Sequence, residues 1–175
     1  MQNCYQSENE TIWQHCQNVS MTYFKLLEAP DLFPLPDFIK ENFELIKENQ
    51  LDQNIVRDYL EWHDCGKPFC RVEENGKIKF PGHAKVSREL FIQAGGSLES
   101  AELIGLDMLF HTSSAKSLLE LQLDKKTMYT LMLSAWASLF SNAQMFGGFG
   151  SENYKIKRSQ MLARCKCYIN AKYEI

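Results

Sequence analysis

The spacing of the apolar residues constrains the fold more than any other feature of this chain. Near the N-terminus, Ile12, Cys16, Val19, Tyr23 and Leu26 recur at intervals of three and four residues, which places them on one face of a helix. Similar spacing continues through most of the chain. It predicts a compact all-α bundle of six to eight helices, with approximate bounds 8–27, 36–48, 53–63, 83–93, 97–112, 114–122, 124–146 and 152–172. We expect Ser7, Ser97 and Asp124 to cap three of these helices.

One segment departs from the helical pattern. Residues 71–74 and 77–80 flank Asn75-Gly76, and Asn-Gly between two alternating segments is the strongest short signal for a β-hairpin. A two-stranded ribbon is marginal by itself, so we expect it to pack on helices. The sequence therefore predicts one small hairpin within the helical fold.

Length and charge limit the classes of function. A chain of 175 residues suits a single domain, here residues 1–175, and 45% apolar residues suffice for a core. A net charge of −3 argues against an extended nucleic-acid surface but allows a small phosphorylated substrate in a local cationic pocket. The first residues lack the basic start and apolar run of a signal peptide, and no apolar run reaches membrane-spanning length, so we expect a cytoplasmic protein with reduced thiols and no membrane partner. The proline-rich segment 29–36 either caps the core or forms a patch for a homo-oligomer.

The four histidines lie on, or at the edge of, four different predicted helices. If these helices deliver their imidazoles to one point, they form a metal cage of the helical-bundle type. Imidazole and carboxylate ligands suit Mn, Fe, Ni, Co and Zn, and Mg where water completes the shell. The alternative is four unrelated histidines, in the core or on the surface. The four are His15, His63, His83 and His111.

The segment around His63 favours the metal site. Residues 62–68 read WHDCGKP, which places an adjacent His-Asp pair at the predicted end of a helix, followed by a glycine and a lysine. With the upstream His15, the downstream Gly82-His83 and the later His111, this order resembles the HD-domain superfamily of metal-dependent phosphohydrolases. The resemblance covers about residues 8–150 and includes the hairpin that leads to the glycine-histidine pair. It implies an HD-type helical bundle that uses one or two divalent metal ions.

The resemblance also implies a role for each matching residue. It makes His15, His63 and Asp64 the ligands of a first metal, with Asp64 as the bridging carboxylate. His83 and His111 match the histidines of members that hold a second metal. Lys67 matches a lysine that meets a substrate phosphate. Because it follows Asp64 by three residues in one loop, a point charge there also suits a phosphoryl oxygen on physical grounds.

One departure from the family pattern concerns a late helix. That helix usually supplies an Asp to the first metal, but no acidic residue lies between Asp124 and Glu152, and Ser138 falls about where the Asp is expected. Either the site holds one metal weakly, or another residue or water completes it. Asp107 is the nearest substitute, because Asp107 and His111 are four residues apart and share a helix face. Its alternative role is that of a solvated helix residue.

Further candidate substrate contacts come from less specific patterns. The segment 141–148 and the later Lys155-Ile156-Lys157-Arg158 resemble the C-terminal part of a small bacterial and phage branch of HD hydrolases. Arg71 belongs to a basic cluster on the hairpin that suits a lid over a phosphate. Solvated surface roles are the alternative for all of them. The candidate substrate-binding residues are Lys67, Arg71, Ser138, Asn142, Lys155 and Lys157.

Together these features predict a metal-dependent phosphohydrolase, a phosphomonoesterase or phosphodiesterase, that acts on a nucleotide or another small phosphorylated substrate. Asp64 and Lys67 are the expected catalytic residues. Two alternatives remain open. One is a catalytically weakened HD fold that binds a nucleotide or a protein partner, and the other is a helical interaction module with incidental histidines.

Overall fold

A computed structural model describes residues 1–7 and 10–173 of the chain. Helices dominate it, and two short antiparallel strand pairs complete it. The strands are β1 (Tyr5–Ser7), β2 (Glu10–Thr11), β3 (Val72–Glu74) and β4 (Lys77–Lys79). The helices are α1 (Ile12–Glu28), α2 (Asp37–Glu41), α3 (Phe43–Glu48), α4 (Gln53–Trp62), α5 (Lys67–Cys70), α6 (His83–Gln93), α7 (Leu98–Leu106), α8 (Leu109–Thr112), α9 (Ala115–Glu120), α10 (Lys125–Ser141) and α11 (Glu152–Tyr173). The predicted all-α fold with a small hairpin is confirmed.

The chain forms two compact units, one of Met1–Ser20 with Asp52–Asp107 and one of Met21–Leu51 with Met108–Ile175. The prediction of a single domain over residues 1–175 stays a prediction. In the first unit, α7 packs on α4 and α6, and both strand pairs belong to this unit. Its core contains apolar side chains of α1, α4 and α7, among them Ile12, Cys16, Val56, Leu60 and Ile104.

In the second unit, α10 is buried along most of its length and contacts α3, α8 and α11. A helix that is apolar all round belongs in a protein interior, which accounts for the uncharged segment seen in the sequence. Half-buried Phe33 stacks on Phe140, and Leu35 is buried, so these residues of the 29–36 segment cap the core of this unit. Leu32 is 78% exposed, and homo-oligomerisation through this segment stays a prediction.

The predicted hairpin is confirmed with its register. Val72 pairs with Lys79, and Glu74 pairs with Lys77. Asn75 and Gly76 both have positive φ, as a type I′ turn requires at its two central positions. Local sequence therefore determines this ribbon.

The beginning of α1 differs from the prediction. Residues 5–7 and 10–11 form strands, residues 8 and 9 of the predicted helix lie outside the described residues, and α1 begins at Ile12. Thr11 Oγ1 accepts the Gln14 N–H at 3.2 Å, while Gln14 Oε1 accepts the Thr11 N–H at 2.9 Å. This reciprocal capping box sets the helix start, so the predicted Ser7 cap is wrong.

Three other predicted helices are shorter or divided. The helix predicted over 36–48 is α2 and α3, which are separated at Asn42, and that over 97–112 is α7 and α8. The helix predicted over 124–146 ends as α10 at Ser141, and a 3₁₀ turn covers Gln144–Phe146. The Ser97 and Asp124 caps are confirmed, since their side chains accept the backbone N–H groups of Ser100 and Thr127. Helix ends at polar residues such as Asn42 depend on packing, which the apolar period does not encode.

Candidate metal centre

Two helices of the first unit bring a buried carboxylate and two imidazoles together. His15 lies on α1, and His63 and Asp64 follow the last residue of α4. Nε2 of His15 lies 3.6 Å from Asp64 Oδ2, and Nε2 of His63 lies 3.4 Å from the same oxygen. All three side chains are buried, and their ligand atoms lie within 4.8 Å of one another. This group can hold a metal ion.

A third imidazole approaches the other oxygen of the same carboxylate. His83 is the first residue of α6, and its Nε2 lies 3.3 Å from Asp64 Oδ1. Oδ2 therefore faces His15 and His63, while Oδ1 faces His83. Both oxygens of Asp64 thus contact imidazoles.

Backbone carbonyl groups fix the orientation of two of the rings. His63 Nδ1 lies 2.7 Å from Leu60 O, and His83 Nδ1 lies 2.8 Å from Phe80 O. A carbonyl oxygen only accepts, so Nδ1 carries the proton in both rings. In the neutral ring this leaves the lone pair on Nε2, the atom that faces Asp64. Metal-binding histidines are commonly oriented in this way by an acceptor behind the ring.

Gly66 allows the loop after Asp64 to lie against α6. Its N–H donates to Ser87 Oγ at 2.8 Å, and the Cys65 thiol donates to Ser87 O at 3.4 Å. A methyl group on residue 66 would come within 2.5 Å of Ser87 N and 2.7 Å of His83 O. Glycine is therefore required here by close approach, since its φ of −80° is open to any residue.

Lys67 supplies the positive charge at this site. Its Nζ lies 2.5 Å from Asp64 Oδ2 and donates to Gln6 Oε1 at 2.6 Å. The ammonium and the carboxylate therefore form a buried ion pair. This pair compensates the charge of Asp64 in the metal-free protein, and a metal ion bound at Oδ2 would compete with Lys67 for the same oxygen.

The charged groups around Asp64 shift one another's pKa values. Burial alone would raise the pKa of Asp64, but the His63 and Lys67 charges outweigh burial and hold that pKa well below its usual range. Burial alone would lower the pKa of His63, but Asp64, with smaller contributions from Cys16 and Asp107, raises it well above the usual value. Burial does lower the pKa of His15. Without metal, the site thus holds a carboxylate beside an imidazolium.

The N-terminal strand pair supplies two residues that the sequence analysis missed. Gln6 on β1 accepts from Lys67, and Glu10 on β2 places Oε2 3.6 Å from His15 Nδ1. Asn18 donates to the other Glu10 oxygen at 2.7 Å. Glu10 was assigned to a helix, and the capping box from Thr11 to Gln14 was the signal that would have placed it in the extended segment before α1.

We expect Glu10→Gln to weaken metal binding by about 10- to 100-fold, the range typical of a carboxylate that orients a metal-binding histidine. The amide keeps the shape of the side chain but removes the negative charge behind His15. Titration with a chelator of known affinity measures the change, and Glu28→Gln, at the exposed last residue of α1, is the control. Equal affinity in the wild type and Glu10→Gln would remove Glu10 from the site.

Asp107 has a hydrogen-bond partner on α4. Asp107 Oδ1 accepts the Tyr59 hydroxyl at 2.6 Å, and the Tyr59 ring lies edge-on to His63 with centroids 6.3 Å apart. The negative charge of Asp107 contributes to the raised pKa of His63. His111 is half-buried on α8, in the second unit. The break between α7 and α8 interrupts the helix that was expected to align the two, and their role as metal ligands stays a prediction.

The remaining candidate substrate contacts have local partners on the surface or at helix ends. The Asn142 side chain donates to Ser138 Oγ at 3.3 Å near the end of α10. Lys155 pairs with Glu152, and Lys157 lies over the Phe146 ring. On the hairpin, exposed Arg71 lies 3.8 Å from Glu73. Substrate contacts by Arg71, Ser138, Asn142, Lys155 and Lys157 stay predictions.

No known protein family matches the chain, and neither the curated proteins nor the solved structures contain a match. Within residues 1–7 and 10–173, no helix has both the length and the apolar character needed to cross a membrane. The evidence for a function is therefore the arrangement of side chains around Asp64.

Proposed function

We propose that this protein is a metal-dependent phosphohydrolase of the HD type that acts on a nucleotide or another small phosphorylated substrate. The observation that carries the proposal is the set of three imidazole Nε2 atoms within 3.3–3.6 Å of one buried carboxylate, with a lysine ammonium beside it. Imidazole nitrogen and carboxylate oxygen are the donors preferred by Mn, Fe, Co, Ni and Zn. Mg remains a candidate where water completes its shell.

In this proposal His15, His63 and Asp64 hold the first ion, and His83 with the second oxygen of Asp64 supports another. When bound, a divalent ion would supply Lewis acidity and make hydroxide available from water near neutral pH. Asp64 would orient the attacking water, whose oxygen bonds to phosphorus while the P–O ester bond breaks and the leaving oxygen takes up the proton that the water loses. Lys67 would neutralise charge on the phosphoryl oxygens.

The helix that the resemblance expects to supply a further acid has none. Helix α10 is without Asp or Glu, and Ser138 is a half-buried hydroxyl on it. This observation favours a second candidate, a metal-containing HD fold that binds a nucleotide or a protein without turnover. The two candidates share the metal centre and differ in whether a phosphoester is cleaved.

A metal-supplemented screen separates them. Protein stripped with a chelator is reloaded singly with Mn, Fe, Co, Ni, Zn or Mg and assayed on nucleoside mono-, di- and triphosphates, cyclic nucleotides and bis(p-nitrophenyl) phosphate. We expect metal-dependent hydrolysis that His63→Ala abolishes. Lys67→Met should reduce turnover while the metal content is retained, and Lys116→Met, which changes an exposed lysine, is the control. Metal-loaded protein that cleaves none of these substrates would support the binding protein instead.

We expect metal affinity to rise with pH by about tenfold per unit below the pKa of His63, with about one proton released per ion. The sign follows from the charges: His63 has a raised pKa and must lose its proton to bind a metal, whereas His15, with a lowered pKa, is already neutral. Calorimetry in two buffers of different ionisation enthalpy counts the protons. Affinity that is constant between pH 6 and 8 would show that His63 is not protonated in the metal-free protein.

A further inference from the structure

The first unit contains a cavity of about 880 Å³ that shares a segment of chain with the metal centre. Trp62, Cys65 and Pro68 line this cavity, while the intervening His63, Asp64 and Lys67 form the metal centre. Residues 62–68 thus contribute some side chains to the cavity and the others to the metal centre. The volume is in the range of pockets that bind small molecules.

Aromatic rings dominate one part of the cavity. Trp13 on α1 meets Trp62 edge-on, with centroids 6.4 Å apart and an angle of 71°. Trp62 and Phe91 are 6.3 Å apart and tilted by 47°. Neither of these two pairs is stacked face to face. Trp62 remains 39% exposed, which is a large exposed fraction for an indole.

The other lining side chains are uncharged. Among the described residues, the cavity is lined by no Asp, Glu, Lys or Arg side chain, whereas Gln2 and Asn3 bring amide groups and Cys4 and Cys65 bring thiols. A lining of uncharged side chains favours an uncharged ligand, because burying an unpaired charge is costly. The amide groups offer both donors and acceptors to the edge of a polar ring.

We propose that this cavity binds a nucleobase, the uncharged planar part of a phosphorylated substrate whose charged part is bound at Lys67 and the metal centre. Every base has a π-face that stacks on an aromatic side chain, and its edge requires hydrogen-bond partners. The inference rests on the proposed function and extends it by assigning a site to the base. It names Trp13 and Trp62 as residues that determine specificity for nucleotides over other phosphoesters.

Tryptophan fluorescence tests the assignment directly. Two of the three tryptophans line the cavity, and the third, Trp136, is fully buried in the second unit. We expect adenosine to quench the fluorescence saturably in protein kept metal-free with a chelator, and ribose 5-phosphate, which lacks a base, to have no effect. Equal responses to both compounds, or no saturable response to adenosine, would overturn the proposal.

Two variants change different properties of the cavity. Trp62→Leu removes a stacking surface and should weaken adenosine binding at least fivefold. Ala94→Glu places a charge at an exposed position of the lining and should weaken binding without disturbing the core. Phe149→Leu, at a half-exposed aromatic residue of the second unit, is the control. Unchanged binding in both cavity variants would overturn the proposal, as would sedimentation showing that the wild type dimerises and Trp62→Leu does not.

The two proposals fail in different ways. Wild-type protein kept in the chelator should bind adenosine but hydrolyse no phosphoester, because only hydrolysis requires the metal. Hydrolysis of bis(p-nitrophenyl) phosphate without any binding of adenosine would leave the phosphohydrolase and remove the base site. Binding of adenosine without hydrolysis of any phosphoester would leave the base site and remove the phosphohydrolase.

Discussion

Asp64→Asn is expected to remove metal binding and hydrolysis together. The substitution keeps the shape of the side chain but replaces a charged oxygen with an amide, and Asp64 is the residue on which His15, His63 and His83 converge. We expect metal affinity to fall by more than about 100-fold, the upper end of the loss for residues that merely orient a ligand. Elemental analysis of the purified variant and a phosphate-release assay measure the two effects.

The same substitution should lower the free energy of unfolding of the metal-free protein. Lys67 and the His63 imidazolium are paired with Asp64 in the interior, and removing one partner of a buried ion pair typically costs about 3–5 kcal/mol. Asp58→Asn, on an exposed turn of α4, is the control and should change neither property. Asp64→Asn protein that retains full metal content would refute the assignment of Asp64 as a ligand.

Gly66→Ala is expected to destabilise the first unit and to disturb the metal centre. The added methyl group would meet the backbone of α6 at Ser87 N and His83 O, and backbone atoms cannot rotate away as a side chain can. Overpacking of this kind costs about 1–3 kcal/mol. The displacement should also move His83, so we expect metal content to fall with stability.

Chemical denaturation and elemental analysis measure the effect of Gly66→Ala. Gly150→Ala is a matched control, because a methyl group there would have no neighbour within 4 Å and φ lies outside the positive region. Its effect should stay within about 0.5 kcal/mol. If Gly66→Ala and Gly150→Ala unfold at the same denaturant concentration, the close approach of the loop to α6 does not determine the geometry of the site.

Features that depend on neighbouring residues were predictable from the sequence. The helical period located α4, α6 and α11 closely, and Asn75-Gly76 specified both the position and the turn of the hairpin. Asp124 and Ser97 were recognisable caps because a cap acts within three residues. The convergence of His15 with His63 and Asp64 was predicted from motif order, and the geometry agrees. The HD resemblance itself stays a prediction.

Residues whose role depends on distant segments were missed or misplaced. Gln6 and Ser87 carry no sequence signal for their contacts, since the partners are 61 and 21 positions away. Glu10 was assigned to a helix because the apolar stripe alone does not specify where a helix begins. The aromatic cavity was not anticipated either, because Trp13, Trp62 and Phe91 come from three separate helical segments.

The sequence by itself determined most of the helices, the hairpin and the chemical types of the candidate ligands, because periodicity, caps and turns act over a few residues. Only the tertiary structure decided which nitrogen of each imidazole faces the carboxylate, which carbonyl holds His63 and His83, and that the two oxygens of Asp64 face different histidines. These relations depend on the packing of α1, α4 and α6. Packing brings together residues that are dozens of positions apart, and no local pattern records their distance.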